Sequence, residues 1–122
     1  MSDLLRVLDE VAVERERQDA RWGEQNYPDV VGTWLSHPSK VLSVLATAEA
    51  HLLPSASAAR TICNLAFGED VGAWAHIAVE ELAEAVEAAA LGDTAALRTE
   101  LVQTAAVLVA WIQAIDRRAV SS

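Results

Sequence analysis

Glu80, Glu81, Glu84 and Glu87 fall within two turns of one helix-forming stretch, Trp74 to Glu87. Glu100 follows sixteen positions beyond Glu84, and Gln103 comes three positions later. Glu81 and Glu84 are about 60° and one turn apart on a helix, so both can reach one ion from the same side. Clustered acids also repel one another, and a cation relieves that repulsion. Two helices that aim carboxylates into a shared space suit Mg²⁺, which takes oxygen ligands and keeps water and substrate phosphate oxygens in its shell. The chemistry to expect is metal-dependent hydrolysis of a nucleoside triphosphate. For Glu80 and Glu87 a solvated acidic face is the preferred reading.

The inward face of this helix is expected to be Trp74, Ala78, Leu82, Ala85, Val86 and Ala89. On that wheel Glu81 lies about 90° from the centre, and Glu80, Glu84 and Glu87 lie further out. Glu100 stands on a second helix that is apolar almost all round from Leu101 to Ile115. Such a helix is buried, so Glu100 should be at least partly buried. A buried carboxylate needs a metal, an arginine or a proton. Arg15 and Lys40 are the available structural partners, and metal site and buried salt bridge both remain open.

The remaining elements position this pair. Residues 71–91 and 94–118 form long helices joined through Gly92, which suits a left-handed helix stop, and Asp93 or Thr94, which can cap the next helix. So short a connection makes them antiparallel neighbours. Residues 3–21 form a first helix with a stripe of Leu4, Leu8 and Val11 as core. The stripe then turns polar at Arg15 and Gln18 and ends on Trp22. A loop runs from Gly23 to Ser36 and carries Tyr27 and Trp34. A second helix starts at Ser36 and Pro38, reaches about Leu53 and buries Val41, Leu45, Ala48 and Leu52. Ser55 to Ala66 is a short helix closed by Gly68. Residues from Ala119 onward fray. The expected fold is all-α, one domain over 1–122: a bundle of four to five helices with a C-terminal antiparallel pair.

Composition narrows the function. A chain of 122 residues suits one domain, and its abundant alanine favours close-packed helices. A net charge of −9 argues against nucleic-acid polymers and anionic membranes as partners. It leaves room for a phosphorylated small molecule if a divalent cation reverses the local field. One cysteine, Cys63, excludes an intrachain disulfide and a thiolate zinc cage. His37, His51 and His76 are too scattered for a typical zinc site. No glycine-rich phosphate loop and no nucleophile elbow is present. The N-terminus is not a secretory signal, and Gln103, Thr104 and Gln113 interrupt the most apolar stretch, so no membrane span is expected and the protein is placed in the cytoplasm.

Glu81-Leu-Ala-Glu84, fifteen intervening residues and Glu100-Leu-Val-Gln103 resemble the E-x-x-E … E-x-x-D signature of the all-α nucleotide pyrophosphohydrolases, the MazG-like group. The flanking Trp74-Ala-His-Ile-Ala-Val-Glu-Glu81 and the early Glu14-Arg-Glu-Arg-Gln-Asp-Ala-Arg-Trp-Gly23 are similar to its small single-domain phage and actinobacterial branch. The resemblance covers most of the chain, least so residues 24–70. It implies a helical bundle that assembles as a homodimer or homotetramer. The implied reaction takes a (d)NTP and water to the monophosphate and pyrophosphate with Mg²⁺, for which Mn²⁺ can substitute. By position, Glu81, Glu84 and Glu100 would hold metal with Gln103 in the fourth ligand place, and Glu80 or Glu84 would orient or deprotonate the attacking water. Arg15, Gln18 and Lys40 become candidates for phosphate or base contacts, and Trp22 for stacking. Gln103 departs from the pattern, because an amide oxygen ligates Mg²⁺ without contributing charge. Either the branch works with fewer acids, or the chain is a non-catalytic module of the same fold that binds a nucleotide or a protein. A plain structural bundle in which Glu100 pairs with Arg15 is a third reading.

Overall fold

The computed structural model describes residues 2–31 and 40–121, with the side chains of 40–43 and 120–121 outside that description. The expected all-α architecture is what it shows. Among the described residues the elements are helices α1 (Asp3–Trp22), α2 (Lys40–Ala50), α3 (Ala56–Gly68), α4 (Trp74–Ala90) and α5 (Thr94–Ser121). The expected helix start at Ser36 and Pro38, and the loop residue Trp34, lie outside the described residues, as does the side chain of Lys40.

Local chemistry explains the boundaries. Ser2 Oγ accepts from the Leu5 N–H and Ser55 Oγ from the Ala58 N–H, each satisfying a donor that the first turn leaves open. Asp93 Oδ1 caps α5 by accepting from the Ala96 N–H at 3.0 Å. At α4 the acceptor comes from inside the helix: His76 Nδ1 takes the Ala73 N–H at 3.0 Å. Three helices end in the same double-bonded reverse turn, with N–H groups of 52 and 53 returning to 49 and 48, 70 and 71 to 67 and 66, and 92 and 93 to 89 and 88. The left-handed residue of these turns is Leu52, Asp70 and Gly92 respectively. Only Gly92 is the stop the sequence suggests. Gly68 lies inside α3, and the stop is two residues later at Asp70. Leu52, expected in the buried stripe of α2, is instead 94% exposed with φ 58°, because α2 has already ended at Ala50.

The chain divides into two compact units, residues 1–27 with 108–122 and residues 28–107, and α5 runs through both. In the first unit α1 buries Val7, and the second half of α5 buries Val109. The stripe expected as core, Leu4, Leu8 and Val11, is exposed, so the apolar face read from the helical period is not covered by the described residues of its own unit. In the second unit α2 and α3 both pack against α4. Ala56 and Ala59 of α3 cluster with Ala83 of α4, and Ala85 and Ala88 of α4 cluster with Leu97 of α5. Leu82, expected to face inward, is exposed. Alanine faces without bulk let helix axes approach closely, and close approach outweighed the larger side chain in setting which arc of α4 is covered. By length and composition Thr94–Ala119 would also suffice to cross a membrane, since an average over the helix tolerates the polar interruptions at Gln103, Thr104 and Gln113. The same helix packs Leu97 against the α4 alanines and carries Glu100 into an acidic cluster.

Candidate functional site

The acids sit where α4 is flanked by α3 and the first half of α5. Ala83 meets α3, and Ala85 and Ala88 meet α5. The glutamates between these contact lines are drawn into the seams rather than left in solvent. Glu81 of α4, Glu84 of α4 and Glu100 of α5 are each half-buried, and one carboxylate oxygen from each lies within 4.8 Å of the other two. The juxtaposition expected from the short Gly92–Asp93 connection is therefore present.

Glu80 and Glu87 depart from the expected solvated face: both are half-buried. The Glu80 side chain is only 19% exposed and faces α3, where Arg60 Nε lies 3.6 Å from its Oε1. Arg60 Nη2 also donates to Glu84 Oε1 at 2.9 Å, so one guanidinium spans two of the acids. The buried thiol of Cys63 on α3 lies close enough to Glu80 to feel its charge.

The cluster is electrostatically strained. Burial pushes the Glu81 carboxyl above the usual carboxylate range, and the charges of Glu84 and Glu80 push it further. Glu100 is raised first by burial, then by a hydrogen bond with Glu84 and the charges of Glu84 and Glu81, while Arg60 pulls the other way. Arg60 is itself raised by its hydrogen bond to Glu84 and the surrounding acids. Burial of the Cys63 thiol raises it, helped by neighbouring Glu80.

Gln103 reaches the same place from α5. With its amide nitrogen toward the acids it donates to Glu81 Oε2 and to Glu100 Oε2, both at 3.2 Å. In that orientation Gln103 clamps two carboxylates together as a donor and is not itself a ligand. Its oxygen would take the fourth ligand place only after the amide turns over. Thr104 Oγ1 donates to the Glu100 carbonyl at 2.7 Å, which ties down the α5 backbone beside the carboxylate.

The helix-1 candidates satisfy one another within their own unit. Arg15 donates to Gln18 Oε1 at 2.7 Å and to Asp19 Oδ1 at 2.8 Å. Trp22 is exposed, with the Arg21 guanidinium 5.0 Å from its ring centre. Among the described side chains the cation on the acids is Arg60, while Arg15, named from sequence, pairs with Asp19; the Lys40 side chain lies outside the description. A signal for Arg60 was present: between Lys40 and Arg98 the chain has no other lysine or arginine. On another side of the α4–α5 hairpin, Val30, Leu82, Val86, Leu97 and Leu101 wall an apolar hollow of about 150 Å³ with Asp29 among its lining. Residues 29–31 are tied to α2 there, since His51 Nε2 accepts the Val31 N–H at 3.2 Å while Nδ1 bonds the Thr47 carbonyl.

No protein-family model matches the chain, and no curated protein or solved structure is significantly similar to it.

The donor set fits a hard divalent cation. It offers carboxylate oxygens from two rigid helices, within a spacing that one ion can span, in a cluster whose own charge is poorly compensated.

Proposed function

We propose that the chain is a MazG-like, Mg²⁺-dependent nucleotide pyrophosphohydrolase of the cytoplasm that converts a (d)NTP to its monophosphate and pyrophosphate. The observation that carries the reading is the convergence of Glu81, Glu84 and Glu100 from α4 and α5 within 4.8 Å. Those three side chains would hold Mg²⁺, which supplies neutralising charge at phosphate oxygens and a more acidic bound water. Glu80, a neighbouring acid outside the trio, or Glu84 would orient or deprotonate the attacking water. Gln103 holds Glu81 and Glu100 together against their mutual repulsion. The apolar residues left exposed on α1 and α5, among them Leu4, Leu8, Leu101, Leu108 and Ile115, support the homodimer or homotetramer that the family resemblance implies.

A second reading has one observation in its favour. Hydrogen bonding to the two carboxylates assigns the donor nitrogen of the Gln103 amide, not its oxygen, to the side facing the acids, where a fourth acid would add a ligand. On that reading the chain is a non-catalytic helical module that binds a nucleotide or a protein. A panel of (d)NTPs with Mg²⁺, assayed for pyrophosphate and monophosphate, separates the two. Turnover by the wild type supports the enzyme, and turnover by Gln103→Asp alone supports the binding module. If neither protein releases pyrophosphate from any substrate, the enzymatic reading is dropped.

A further inference from the structure

Arg60 stands out because it is committed to the acids of the candidate metal centre from a different helix. Its guanidinium bonds Glu84, a member of the trio, at 2.9 Å and lies 3.6 Å from Glu80, which is outside the trio. The Arg60 side chain is itself 55% exposed. A guanidinium has five N–H donors, and these contacts engage two nitrogens and leave donors over. Charge balance points the same way. Glu80, Glu84, Glu87 and Glu100 all feel the one arginine and Glu81 adjoins Glu84 and Glu100, so even a bound divalent cation leaves this corner negative. A polyphosphate approaching it needs a further cation, and Arg60 is the one that the described ion pairs bring to these acids.

We propose that Arg60 is the phosphate-binding cation of this site, held by Glu84 and Glu80 in the metal-free protein and turned to phosphate oxygens once a divalent cation takes up the charge of Glu84. The proposal rests on the metal-dependent reading above. Arg60 is the exposed end of the pair, where solvent screening discounts its net contribution, and the metal takes over the charge of Glu84, so exchanging that carboxylate for phosphate costs little. The planar fork of arginine also matches two phosphate oxygens as well as it matches a carboxylate. Held this way, the guanidinium competes with the metal for Glu84 in the free protein and cooperates with it when phosphate is present.

The test is calorimetry on the full chain, titrating Mg²⁺ alone and then inorganic pyrophosphate at saturating Mg²⁺, for wild type, Arg60→Gln and Arg60→Lys. Arg60→Gln is expected to bind Mg²⁺ as tightly as wild type or a few-fold tighter, because a competing cation is gone. It is expected to bind pyrophosphate at least tenfold more weakly, with Arg60→Lys between the two. Weaker Mg²⁺ binding by Arg60→Gln with pyrophosphate affinity unchanged overturns the proposal and makes Arg60 a positioning residue for Glu84. Wild type that binds Mg²⁺ but no pyrophosphate overturns it also. Wild type that binds no Mg²⁺ overturns the metal reading beneath it, a distinct outcome. Should Arg60→Gln fail to fold, Arg60→Lys carries the same comparison.

Discussion

Replacing Glu100 by glutamine should make the metal-free protein more stable and at the same time abolish its response to Mg²⁺. Glu100 has two like-charged neighbours within 4.8 Å, Glu81 and Glu84. At that separation a pair of charges repels by about 0.9–1.7 kcal/mol for effective dielectric constants between about 80 and 40, the range suited to half-exposed groups. Two such pairs give about 2–3 kcal/mol, from which loss of the attraction to Arg60 subtracts about 1 kcal/mol. The glutamine keeps an oxygen that can accept from Gln103. A net gain of about 1–2 kcal/mol is therefore expected at a pH high enough to ionise the wild-type carboxylate, whose titration is raised. Wild type should recover about 2.7 kcal/mol when Mg²⁺ is present at a hundred times its dissociation constant. The assay is urea unfolding of both proteins with chelator and with excess Mg²⁺, so the order of stabilities reverses between the two conditions. If Glu100→Gln is the less stable protein in chelator, Glu100 is a structural ion-pair partner and the reasoning fails. Equal stabilisation of both proteins by Mg²⁺ would refute it too.

The other predictions concern pH, a turn and a thiol. Because Glu81 and Glu100 are raised above the ordinary value near 4.5, the folded protein holds protons there that the unfolded chain releases. Stability of the metal-free protein should thus fall as pH rises from the ordinary carboxylate range through the raised values and level off above them. Saturating Mg²⁺ should flatten this fall, and unfolding midpoints that climb through that interval without metal would contradict it. Leu52→Gly should raise stability by about 0.5–1 kcal/mol, because Leu52 is left-handed and almost wholly exposed, and glycine relieves the strain without loss of packing. A lower denaturation midpoint for this variant would show that Leu52 is covered in solution. Cys63 is buried, and its thiol is raised by burial and by Glu80, so alkylation at pH 8 should be slow in the native protein and complete in denaturant. Rapid native labelling would mean that the α3–α4 seam opens.

Helix type, order and several boundaries were legible because their causes are local. Ser55, Asp93 and Gly92 act on groups within a few residues of themselves. The stops at Leu52 and Asp70 were not legible, since neither residue advertises a left-handed backbone as glycine does. Of the site, the trio could be read because one short turn connects its two helices. Arg60 could not be assigned, because its partner Glu84 is 24 positions away on a helix whose covered arc depends on which neighbours approach. The wheel placed that arc by side-chain hydrophobicity and so put Leu82 inside and Glu80 outside. Ala85 is buried as the wheel had it, but packing through Ala83 and Ala88 turned the covered arc so that Leu82 is exposed and Glu80 half-buried. The exposed stripe of α1 has the converse explanation: its period is a correct record of an apolar face, and the described residues of its unit leave that face exposed.

The most direct measurement is the position of Mn²⁺ in crystals of the protein, located by its anomalous scattering. A single peak bonded to carboxylate oxygens of Glu81, Glu84 and Glu100, and lost in Glu100→Gln, is what this account predicts. A structure with Mn²⁺ bound elsewhere, or with the three carboxylates held only by Arg60, Gln103 and protons at saturating Mn²⁺, would contradict it.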